Sequence, residues 1–107
     1  MDKVEFLILR NLLYNEEYLR KVIPFIKPEY FEDQKQKIVF EEILKFVGEY
    51  NQLVTKEALC IEIERRTDIT DDSFKDVVDL VTGLKNESSE FDWLVDTTEK
   101  WCRDRAI

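Results

Sequence analysis

Histidine is absent from this 107-residue chain, and glycine, proline and cysteine occur only twice each. Without histidine, neither a hydroxyl nucleophile paired with an imidazole base nor a di-iron bundle of the Glu-x-x-His type can be built. Gly48 precedes Glu49 and Gly83 precedes Leu84, so no Gly-rich loop ends in Lys and Ser or Thr to cradle phosphates. Cys60 and Cys102 lie far apart and lack the further Cys or His ligands that zinc requires; two free thiols in a reducing compartment is the reading they support. No run approaches the roughly 20 apolar residues of a membrane span, and the opening Met1-Asp2-Lys3-Val4-Glu5 has no signal-peptide layout. A cytoplasmic location is expected. Positive charge is scarce too, with 16 basic against 24 acidic residues and a net charge of −8. Phosphate binding rests on clustered Lys and Arg. The densest basic groups, Lys35/Lys37, Arg65-Arg66 and Arg103/Arg105, are each diluted by acids, so tight nucleic-acid binding by this chain alone is not expected.

What the sequence does contain is 44% hydrophobic and 37% charged residues, interleaved along its length. That mixture argues against disorder, and the shortage of turn residues argues against a sheet. The expectation is an all-α, compact single domain of about six helices. Apolar residues from Val4 to Tyr14 fall on two stripes, one of them holding Phe6, Leu9 and Leu13. Such a helix is either buried by its own domain or shared with another subunit. Asn15 before Glu16-Glu17 starts a second helix, which Pro24 stops or kinks at Ile23. Pro28 to Phe31 reads as a turn that drops two aromatics into the core. A third helix runs from about Asp33 to Tyr50 with Gly48 near its end, a fourth is capped by Thr55, and a fifth starts at Thr70. Lys85 to Ser89 is a loop, and Ser89 with Asp92 resembles a capping box for the last helix. That helix carries Trp93, Leu94, Trp101 and Arg105, and its tail to Ile107 has no stop signal, which suggests a domain cut from a longer chain.

Carboxylate pairs such as Glu41/Glu42 and Asp71/Asp72 are adjacent, and adjacent helical positions do not face one another. They read as solvated faces or first-turn acids. Trp93 and Trp101 are of the type enriched at binding hot spots, and their spacing of eight sets them about 80° apart around a helix. They either pin the last helix or meet a partner.

Taken together, the opening Val4 to Leu9 helix, Ile26 to Glu32, Phe40 to Tyr50 followed by Leu53 to Leu59, and the tail Asp92 to Lys100 with Arg105-Ala106 resemble the N-terminal domain of the DnaB-type hexameric replicative helicases, in the form found in T-even-like tailed phages. The resemblance implies a head, residues 1–90, on the collar of a ring helicase that moves 5′ to 3′ on single-stranded DNA. Residues 91–107 would then be the truncated first arm of a hairpin or linker helix through which heads pair. It implies no cofactor in this segment, with ATP or GTP and Mg bound in a separate C-terminal RecA-like domain. The implied partners are further copies in a homohexameric ring, primase and a helicase loader.

On this reading Phe6, Leu9, Leu13, Trp93, Leu94, Trp101 and Arg105 form the candidate protein interface. Trp101→Ala or Leu94→Ala should then weaken assembly while leaving the head folded. The alternative is a free-standing small acidic phage protein that binds and inhibits a host protein. A small helical enzyme has no residues to support it.

Overall fold

The computed structural model describes residues 3–106; Met1, Asp2 and Ile107 lie outside the described residues. Six α-helices and one 3-10 turn follow in order: α1 Lys3–Tyr14, α2 Glu16–Val22, the turn Pro28–Tyr30, α3 Gln34–Tyr50, α4 Lys56–Glu64, α5 Asp71–Thr82 and α6 Phe91–Arg105. There is no strand among the described residues, so the fold is all-α. The Cα radius of gyration is 13.1 Å, close to the roughly 13 Å expected of one domain of this length.

The starts of the helices are written in side-chain chemistry. Asn15, Thr55 and Thr70 sit in extended backbone and accept from the amides of Tyr18, Ala58 and Ser73 respectively. Each thereby satisfies a donor that the first helical turn leaves open. Asp33 does the same for α3, accepting from Lys35 and Gln36. The ends were harder to read. Gly48 lies inside α3, which closes instead at Asn51, a residue with φ of +53° whose amide reaches the Val47 carbonyl. Asparagine tolerates this left-handed conformation better than other residues with a side chain. Arg20 holds it there, donating to both the side-chain and main-chain oxygens of Asn51 at 3.0 Å. Ile23, before Pro24, keeps helical angles as the cap of α2.

One expectation for α6 needs correction. Glu90, not Ser89, occupies the cap position, and no side chain caps the helix. Ser89 Oγ is instead held from the side, accepting from Arg10 at 3.0 Å and Asn11 at 3.3 Å, which fastens the loop to α1. Ala106 follows the last helical residue, Arg105.

α1 packs on α2, α3 and α6. Ile8, Leu9 and Leu12 are fully buried and Leu13 nearly so, while Phe6 and Leu7 are partly buried against the same core. Both apolar stripes are therefore used inside the domain. α3 bridges to α4 and α5 on its other side. A node of aromatic rings, Tyr30, Phe31, Phe40 and Trp101, joins the 3-10 turn, α3 and α6, with centroid separations of 5.0 to 5.9 Å, the range in which ring pairs attract.

Candidate interaction surface

α6 determines what the domain offers to other chains. Its inner face is Leu94, Val95, Thr98, Trp101 and Cys102, set against α1 and α2. Thr98 Oγ1 donates to the Leu94 carbonyl at 2.7 Å and sits 2.7 Å from the Tyr18 hydroxyl, which is therefore the donor in that pair. Burial holds the Tyr18 phenol well above its ordinary pKa. The last turn is locked by charge. Arg105 donates to Glu5 Oε1 at 3.1 Å and lies over the Trp101 ring, 5.1 Å from its centroid. The Glu5 side chain is only 4% exposed, so this pair ties the first helix to the last in a sheltered site.

Four of the sequence-derived interface residues are thus core. Leu9, Leu13, Leu94 and Trp101 are each at most 6% exposed, because α1 is covered by α2, α3 and α6 and α6 turns that face inward. Phe6 is half-buried against the core, and Arg105 is taken up by Glu5 and Trp101. Trp93 is the exception: it stands 50% exposed. The 80° that separates it from Trp101 is enough to put one ring in the core and the other outside. α6 contributes to the same core as α1 and α2.

The sequence reading missed further apolar surface. Phe25, Tyr50 and Ile61 are 55%, 59% and 49% exposed. Ile61 lies off the buried stripe of Leu59 and Ile63, and Phe25 follows the proline that ends α2; those two positions were the available signals. Phe25 borders an open groove of about 300 Å³ at the C-terminal end of α6, lined also by Tyr30, Glu99, Cys102, Arg103 and Ala106. Its Cys102 thiol is pushed up to about 11, by burial first and by the negative charge of Glu99 second. Little thiolate exists at neutral pH, so this sulfur lines the groove as an apolar group rather than as a nucleophile.

The described residues contain no group of three or more His, Cys, Asp or Glu placed to hold a metal ion, and no helix among them is long and apolar enough to cross a membrane. The carboxylates that do converge serve the fold. Arg66, in the link between α4 and α5, donates to Glu42 at 2.9 Å, to Glu41 at 3.2 Å and to both oxygens of Asp68 at 2.7 and 2.9 Å. The hydrogen bond from Arg66 holds the Asp68 carboxyl below its ordinary range.

No protein-family model matches the chain. Over 101 residues, 94% of its length, the chain is 32% identical to a DnaB-like replicative helicase of Enterobacteria phage T4. It spans 21% of that protein. The resemblance drawn from the sequence is therefore shown: along nearly its whole length, this chain is similar to one segment, about a fifth, of a DnaB-like replicative helicase.

Proposed function

We propose that this chain is the N-terminal interaction and oligomerisation domain of a phage replicative DNA helicase, working in the host cytoplasm. Its part is to help form the collar of a homohexameric ring and to dock primase, with a helicase loader as a further partner. Nucleotide hydrolysis and unwinding belong to a separate domain that binds ATP or GTP with Mg. The domain itself is not an enzyme on this reading. The observation that carries the proposal is the 32% identity over 94% of the chain to a replicative helicase of which it spans only a fifth. The exposed surface supports it: large apolar side chains such as Trp93, Phe25 and Ile61 face outward. The same similarity favours this reading over a free-standing acidic inhibitor.

The test is to delete the region corresponding to residues 1–107 from the full-length helicase. Sedimentation is expected to show loss of stable hexamers, and primer synthesis by added primase should lose its stimulation by helicase, while the remaining domain still hydrolyses nucleotide. Intact hexamers with undiminished primase coupling would overturn the proposal.

A further inference from the structure

We propose that the recess between α3 and α4 takes the ammonium group of a lysine presented by a partner protein. The inference rests on the interaction-domain reading and names the chemistry of one contact. Glu42, Phe46 and Tyr50 follow one another at four-residue steps on α3, so they share a face, and Lys45 and Glu49 border it. Glu62 of α4 completes the lining and pairs with Lys45 at 3.8 Å. The Phe46 and Tyr50 rings stand 4.7 Å apart, tilted by 44°, and Tyr50 is 59% exposed. A cation close to such rings is attracted by the negative charge of their faces.

The chain's own bases do not match the carboxylates gathered here. The Glu42 side chain is only 7% exposed; its Oε2 accepts from Arg66 at 2.9 Å, while its Oε1 is buried without a hydrogen-bond partner, which is costly in a sheltered site. In and around the recess three bases, Lys45, Arg65 and Arg66, face five acids, Glu41, Glu42, Glu49, Glu62 and Asp68, leaving two negative charges over. Lys45 does not fill the recess itself, because its side chain is 57% exposed and its ammonium is directed to Glu62. α3 also ends here with Glu49 and no base in its last turn, where the helix dipole favours a cation. Arg20 reaches that end, but it is shared between Asn51 and Glu16.

The volume chooses among cations. About 10 Å³ is room for roughly one water-sized group, which fits the compact ammonium of lysine and excludes the broad guanidinium fork of arginine. The flexible stem of a lysine can lie along the two rings while its head enters. Among the described residues no group of acids is placed to hold a metal ion. A second copy would bring a further net charge of −8 to an acidic face, so the occupant is a different protein with a basic surface.

The test is a titration of the isotope-labelled chain with a capped glycine peptide carrying one central lysine, followed by amide chemical shifts. The amides of Phe46, Glu49, Tyr50 and Glu62 are expected to move together. Tyr50→Ala removes a ring and Glu49→Gln a charge; both side chains are exposed, so the fold is kept, and each should weaken binding about fivefold, the scale of one such contact. Lys45→Gln, which frees Glu62, should tighten it. The same peptide with acetyl-lysine, which lacks the charge, or with arginine at its centre should bind at least about fivefold more weakly. No shift up to tens of millimolar peptide, equal binding of either control peptide, unchanged affinity in both Tyr50→Ala and Glu49→Gln, weaker binding in Lys45→Gln, or shifts spread over the whole acidic surface would each overturn the site. If that occurs while deletion of the whole domain still abolishes hexamers and primase coupling, the interaction role stands and only this contact fails.

Discussion

Trp101→Ala is expected to destabilise the chain by about 3–5 kcal/mol, the usual range for truncating a buried Trp. Trp101 is 6% exposed and touches Tyr30, Phe31 and the Arg105 guanidinium. Its loss opens a cavity where α6, the 3-10 turn and α3 meet, and it removes the surface on which Arg105 rests while pairing with Glu5. Domains of this kind have roughly 5–15 kcal/mol in total, so the variant should be largely unfolded or melt well below the parent. Trp93→Ala in the same experiment should change stability by no more than about 0.5 kcal/mol, as exposed sites do. Thermal melting by circular dichroism checks both. A Trp101→Ala chain that melts with the parent would show that the ring is not core. This prediction differs from the expectation, drawn from the sequence, that the substitution spares the fold.

The second large effect is expected at Arg66. Arg66→Ala leaves Glu42, whose side chain is 7% exposed, without its guanidinium partner, and it releases Glu41 and Asp68 together. Breaking a sheltered pair from one side costs about 3–5 kcal/mol; with Asp68 and Glu41 open to solvent, about 3 kcal/mol is expected in urea unfolding at neutral pH. The pH dependence has a definite sign. Asp68 has its folded pKa lowered by Arg66, so its contribution is present above its ordinary value of about 4 and is lost as pH falls through the folded value. The gap between parent and variant should therefore be widest near neutrality and narrow in acid, as pH falls below the ordinary carboxylate range. A gap that widens in acid would contradict this assignment.

How much of this was legible in the sequence depends on how local the physics is. Asn15, Thr55 and Thr70 act within three residues of themselves, and the helix starts they mark could be read directly. Asn51 also acts locally, but the more familiar Gly48 drew attention from it, and what fixes Asn51 is Arg20 from another helix. Ser89 has the composition of a cap, yet Arg10 and Asn11 compete for its hydroxyl across the fold. The interface suffered most. Periodicity shows that α1 carries two apolar stripes and that Trp93 and Trp101 stand about 80° apart on α6, but it cannot say which side the other helices cover. Packing of α2, α3 and α6 on α1 withdraws Leu9 and Leu13, and the aromatic node withdraws Trp101. Glu5 and Arg105 stand at opposite ends of the chain, so no window of sequence could pair them.

What the core leaves uncovered supports the interaction role, and the direct test of that role is sedimentation equilibrium of the unmodified chain over rising concentration. The account predicts a mass that climbs above the 12.9 kDa of the single chain as molecules cover one another's exposed aromatic surface. A mass fixed at 12.9 kDa up to hundreds of micromolar, on the order of the weakest specific associations, would contradict it.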